Sequence, residues 1–166
     1  MRRRLFAAGP LRPGDRIQLD DVAARHTRVL RLEPGADVVL FDGAGLTFAG
    51  RVTSVRRRGV EVEVLAAVEL PGVESPLHVT VLQGLSRAHK MEEVIQHGCE
   101  LGVVAFHPVR CERSQPVSIN LGRWRTVARE AARQCGRSAI PTIEDVCDLA
   151  PALTRHPGGL RLVLQP

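Results

Sequence analysis

The chain has 166 residues, 44% of them hydrophobic and 25% charged, which is enough apolar material for one ordinary core or two small ones. Its formal charge is +5. No apolar run reaches the roughly 18 residues of a membrane-spanning helix, and MRRRLFAAGPLRPGD lacks the apolar stretch of a signal peptide, so the expected compartment is the cytoplasm.

Residues 1–70 read as a small β-barrel. RIQL (16–19), ADVVLF (36–41), LTFAGRVTSV (46–55) and GVEVEVL (59–65) are short β-prone segments, punctuated by Pro13-Gly14, Pro34-Gly35, Gly43 to Gly45 and Gly59. One helix interrupts them at 20–31, with Asp20 as its cap and Val22, Ala23, His26, Val29 and Leu30 on one face. The stretch PGVESP (71–76) breaks this rhythm and is the predicted linker.

From residue 77 to 166, strands alternate with helices. HVTVLQGL (78–85) and VVAFHPV (103–109) are predicted strands. A helix over 88–102 carries Met91, Val94, Ile95, Gly98 and Leu101 on one face and stops at Gly102. A second, over 120–136, is capped by Asn120, carries Leu121, Trp124, Ala128, Ala131 and Cys135, and stops at Gly136. RLVLQ (161–165) is the third predicted strand. Alternation of this kind implies a parallel α/β sheet with right-handed crossovers. Pro157-Gly158-Gly159 precedes that last strand, so it reads as a turn and not as a ligand loop.

Charge is concentrated in one place. Between Arg110 and Arg137 there are seven arginines against Glu112 and Glu130, so this window holds the whole net +5. Arg125, Arg129 and Arg133 recur every fourth residue, opposite the Trp124 stripe, and Arg137 follows the helix-ending glycine. The row is either a solvated helix side or a surface for an anionic polymer, and Arg137 alone could instead cap the last carbonyls. The loop RCERSQPVS (110–118) falls at the carboxyl edge of the sheet, where parallel sheets place chemistry, and is either such a site loop or an ordinary polar connection. No serine, cysteine or carboxylate pair stands at hydrolytic spacing, no paired zinc-ligand spacing occurs, and the four cysteines are expected to be free thiols.

HTRVLR (26–31), VLFDG (39–43), ESPLHVTVLQGLSRAHKMEEVIQHGCELGV (74–103), HPVRCERS (107–114) and EAARQCGRSAIP (130–141) together resemble the bacterial ribosomal RNA small-subunit methyltransferase E family. The resemblance implies a PUA-like RNA-binding barrel followed by the first half of a SPOUT-type parallel α/β domain. It further implies N3-methylation of a uridine in 16S ribosomal RNA with S-adenosylmethionine as methyl donor, and homodimerisation of the full-length form. The glycine-rich segments that would form the knot and hold the donor are expected beyond Pro166, so this chain alone is expected to bind no cofactor and to be inactive. The alternative is a non-catalytic RNA-binding form. Site-edge candidates are Lys90, Arg113, Glu130 and Arg137, with Glu130 either at the site or orienting Arg137. Expected RNA contacts are Arg4, Arg28, Arg31, Lys90, Arg125, Arg129, Arg133 and Arg137.

Overall fold

Alternation of apolar and polar residues builds the first sheet in the computed structural model, which describes residues 3–56, 59–69, 74–112, 118–156 and 158–164. Its strands are β1 (Arg4–Phe6), β2 (Arg16–Gln18), β3 (Asp37–Phe41), β4 (Thr47–Arg56) and β5 (Gly59–Ala67), in the order β1-β3-β4-β5-β2. β1 pairs parallel to β3 and the other pairs are antiparallel. Register shifts at Ala49/Gly50 and Val52/Ser54 interrupt the β4–β5 ladder, and such bulges bend a strand and increase its twist. The strands thereby surround one core that includes Leu5, Leu40, Phe48, Val52, Val60, Val62 and Val64. β1 was not among the segments expected from the sequence.

The helix α1 (Asp21–Val29) packs against β1 and β5, and the Asp20 carboxylate accepts a hydrogen bond from the Ala23 amide at 2.8 Å. The cap is as expected, but the face is not. Ala23, Ala24 and Thr27 are buried, whereas Val29 is exposed. Small side chains allow close approach to the strands, and the buried Thr27 hydroxyl is satisfied by donating to the Ala23 carbonyl at 2.8 Å.

The second sheet is wholly parallel. β7 (Ala105–Arg110) lies between β6 (Thr80–Gly84) on one side and β8 (Thr142–Ile143) and β9 (Cys147–Asp148) on the other. Successive crossovers in one direction put α2 (Ala88–Glu100) and α3 (Leu121–Cys135) on the same face, packed against each other. Met91, Ile95, Phe106, Trp124, Ala128 and Ile143 form its core. In α3, Asn120 accepts from the Arg123 amide at 2.9 Å, and Gly136 closes the helix at φ 92°. A short helix, α4 (Leu149–Arg155), packs on β7 and β9. No described helix is long and apolar enough to cross a membrane.

The third strand position differs from expectation. Residues 161–164 make no ladder, and Leu162, Val163 and Leu164 are exposed. The edge of β7 opposite β6 is instead paired by β8 and β9, two short pieces at successive registers. Apolar content alone does not make a strand; a ladder also needs a partner. Leu101, expected on the buried face of α2, is likewise exposed, and Cys99 is buried in its place.

Two glycines give opposite expectations for alanine. A Cβ at Gly98 would lie 2.6 Å from Cζ of Phe106, so Gly98→Ala should cost about 1–2 kcal/mol despite the better helix propensity. A Cβ at Gly122 meets only the Asn120 side chain at 3.7 Å, so Gly122→Ala should stabilise by up to about 1 kcal/mol. Urea midpoints moving in opposite directions are the expected result.

Candidate functional site

The two sheets meet along a seam built chiefly from arginines. Gly136 turns the chain, and Arg137 then enters the protein with 3% exposure. Its Nη1 donates to the carbonyls of Cys99 at 2.9 Å and Val103 at 2.8 Å, and its Nε donates to the Glu74 carboxylate at 2.8 Å. The other Glu74 oxygen accepts from the amides of Ser138 and Ala139 at 2.8 and 3.0 Å. From the first sheet, Arg4 lies over the Phe41 ring and donates to the Arg137 carbonyl at 3.0 Å and to the Ser138 hydroxyl at 3.3 Å. The Ile140 amide donates to the Gly43 carbonyl at 2.9 Å. Gly43 has φ 81°, and a Cβ there would lie 2.9 Å from Ile140, so the close approach requires glycine.

The arginine row continues the seam. Arg129 pairs with Asp20 and lies over the Phe6 ring, 5.2 Å from its centroid. Arg133 donates to Glu130 at 3.0 Å and meets Nε2 of His26 at 2.9 Å. Burial and the neighbouring Arg133 cation push the His26 pKa down, which favours a neutral ring accepting that bond. Only Arg125 faces outward, with Asp145 at 3.7 Å and a bond to the Ile143 carbonyl.

These placements correct several expectations. Arg137 does not project from a loop toward a polymer, and Arg4, Arg129 and Arg133 face the other sheet instead of solvent. Glu130 orients Arg133, whereas Glu74 holds Arg137. The basic window is neutralised as well: Arg110, Arg123, Arg125, Arg129, Arg133 and Arg137 each have a carboxylate within 4 Å, five of the six from outside the window. Arg113 and part of the expected linker lie outside the described residues. Arg28 and Arg31 are exposed on the first domain, and Lys90 is exposed beside Glu93 at 2.8 Å.

Sequence reasoning missed Glu74, Asp20, Phe6 and Ser138 as partners in the seam. The alternation in Arg4-Leu5-Phe6 was the available signal: Leu5 fills the first core while its neighbours contact the second domain.

The carboxyl edge of the parallel sheet includes Gly84 to Arg87, Arg110 to Glu112 and, at the end of β9, Asp148. Ser86 Oγ is buried there without a hydrogen-bond partner. Nearby, His107 and His156 bring their Nε2 atoms to 2.9 Å, and Nδ1 of His107 has no partner. A cleft of about 340 Å³ between α2 and α3 is lined partly by Glu92, Glu93 and Glu130, a poor setting for phosphate. Among the described residues no group of three or more metal-ligating side chains is present.

A small β-domain is thus fastened to a parallel α/β sheet, and both parts have known relatives. Residues 19–65 match the family described as RNA methyltransferase PUA domain, and residues 73–166 the RNA methyltransferase domain. Ribosomal RNA small subunit methyltransferase E of Mycobacterium bovis is 36% identical over 124 residues, covering 71% of this chain and 47% of that protein. The chain of the same name from Neisseria gonorrhoeae, solved bound to S-adenosyl methionine, superposes with a TM-score of 0.86 at 31% identity, covering 95% of this chain and 67% of that one. A putative methyltransferase from Legionella pneumophila, also with bound cofactor, gives a TM-score of 0.91 at 30% identity, covering 100% and 71%. The chain therefore belongs to the ribosomal RNA small-subunit methyltransferase E family, with a PUA-like domain followed by an α/β methyltransferase domain. It spans about half the length of the curated relatives it matches.

The seam yields two tests. Arg137→Gln should lower unfolding free energy by about 1–3 kcal/mol, since it removes a buried guanidinium and leaves two carbonyls short of a donor, and Arg137→Lys should not restore it because a single ammonium nitrogen cannot occupy the separate positions of Nη1 and Nε. Chemical denaturation measures both.

The second test uses pH. Burial disfavours the Glu74 carboxylate, but the Ala139 amide, Arg137 and the Ser138 amide outweigh it and hold the pKa below the ordinary value. The resulting stabilisation is present above about pH 4.3 and is lost as pH falls through the lower folded value. The stability difference between the parent and Glu74→Gln should therefore narrow on acidification below about pH 4.

Proposed function

We propose that this chain is the RNA-engaging part, with the first portion of the catalytic domain, of an S-adenosylmethionine-dependent enzyme that methylates N3 of a uridine in 16S ribosomal RNA. Its domains are residues 1–70 and 77–166, joined at 71–76, and the second is of SPOUT type. The protein acts in the cytoplasm, on the small-subunit RNA, and the complete enzyme is a homodimer. The observation that carries this reading is the pairing of the two family matches with a seam that fixes one domain against the other.

The cofactor supplies an electrophilic methyl group when bound. The described carboxyl-edge residues offer one unpartnered buried hydroxyl, Ser86, and no glycine-rich loop on which an adenosyl group could rest, so they do not fit the donor by themselves. What this chain's residues do is hold and orient RNA. Methylating N3 needs the base out of its stack, and phosphate contacts fix the strand while that happens. Arg28, Arg31, Lys90 and Arg125 are exposed and suited to that work, whereas the seam arginines act by fixing the angle between the domains. Arg113 keeps its place as a proposed site-edge residue.

Salt dependence separates the two groups. Each phosphate contact with single-stranded RNA contributes roughly 0.7 to the log–log salt slope, so Arg28→Gln/Arg31→Gln should flatten it by about 1.4. Arg129→Gln should weaken binding through stability without changing the slope. Unchanged binding by the double variant across salt concentrations would remove the RNA role from this face.

A further inference from the structure

Cys99 and Cys135 come together where α2 and α3 end, directly under the seam. Cys99 is fully buried and Cys135 half-buried, and both pack with Ala131 and Ala132, whose small side chains let the helices approach closely. The two thiols lie close enough for each to shift the other's pKa. Each sulfur also lies 3.7 Å from a carbonyl of α3, Ala128 for Cys99 and Ala132 for Cys135. The remaining two cysteines, Cys111 and Cys147, lie in the carboxyl-edge loop and in β9, away from this cluster.

We propose that Cys99 and Cys135 form a redox-active dithiol that hydrogen peroxide converts to a disulfide, stapling α2 to α3 beneath the domain seam. Half-exposed Cys135 is the attacking sulfur. The neighbouring Cys99 thiol lowers its pKa to about 6 against the opposing effect of burial, helped by the Arg137 amide and guanidinium. Cys99, whose pKa is raised by the neighbouring Cys135 and by burial, stays a thiol until it is needed.

In the first step the Cys135 thiolate attacks one peroxide oxygen, the O–O bond breaks, and the departing hydroxide takes a proton and leaves as water. Cys135 is then a sulfenic acid. In the second step the Cys99 sulfur gives up its proton and attacks the Cys135 sulfur. The S–O bond breaks, the S–S bond forms and a second water leaves. Two thiols have lost two electrons and two protons, and the peroxide has accepted them.

The location gives the bond a consequence. The Cys99 carbonyl accepts from Arg137, and Arg4 stands close enough to Cys135 to feel its charge. Oxidation therefore acts on the residues that set the angle between the domains.

The experiment treats the unsubstituted protein with a small excess of hydrogen peroxide, blocks remaining thiols by alkylation, and maps peptides without reduction. A mass two hydrogens lighter, with Cys99 and Cys135 peptides joined and released by dithiothreitol, is the expected result. Cys99→Ser should leave Cys135 as a sulfenic acid that dimedone captures, and should move the pH midpoint of Cys135 alkylation upward from about 6. Over-oxidised Cys135 with no link to Cys99, bridges confined to Cys111 or Cys147, or full retention of both thiols would each overturn the proposal.

Discussion

A guanidinium with almost no access to water must find its partners inside the protein, and Arg137 finds them in three parts of the chain. Two are carbonyls flanking the turn from α2 into β7, and the third is the carboxylate just before β6. Satisfying that one charge fixes where α3 ends relative to α2 and where the chain enters the second sheet. The Arg137 carbonyl then accepts from Arg4, so the same residue carries the constraint into the first sheet. Much of the arrangement between the domains follows from not leaving this cation unpaired.

The row preceding it shows why local charge is a weak guide to surface potential. Seven arginines in a short window look like a cationic ridge when only neighbours in sequence are counted. The fold supplies Asp20, Glu74, Glu92, Asp145 and Asp148 from distant segments, and the ridge becomes a set of ion pairs. Arginine suits this use because its planar fork can serve a carboxylate and carbonyls together and can still place its cation over an aromatic ring, as Arg4 and Arg129 do.

What could be read from the sequence was what depends on neighbours. The long strands of the first sheet, the Asp20 and Asn120 caps, the Gly136 stop and the Trp124 stripe all rest on local stereochemistry, and each appears where the residues indicate. The features that escaped depend on partners far along the chain. β1 is three residues long and exists because β3 offers it an edge. The buried face of α1 is chosen by the strands beneath it, which favoured small residues over Val29. The third parallel strand is split into β8 and β9 by Glu144 to Val146, an interruption that hides its period, while the more apolar 161–164 found no partner. The family motifs carried what local patterns did not.

The pairing of Arg4 with Arg137 and Ser138 joins residues 133 and 134 positions apart. During synthesis at roughly 5–20 residues per second, the first strand leaves the ribosome on the order of ten seconds before the groups that will cover Arg4 and Phe6. Its inward neighbour Leu5 can join the first core at once, since β3 follows within 40 residues or so of the start. The outward side must wait in water. An arginine and a single phenylalanine tolerate that interval better than an unbroken apolar face would, so the polar make-up of the seam suits a nascent chain in which Arg4 must wait for Arg137 and Ser138.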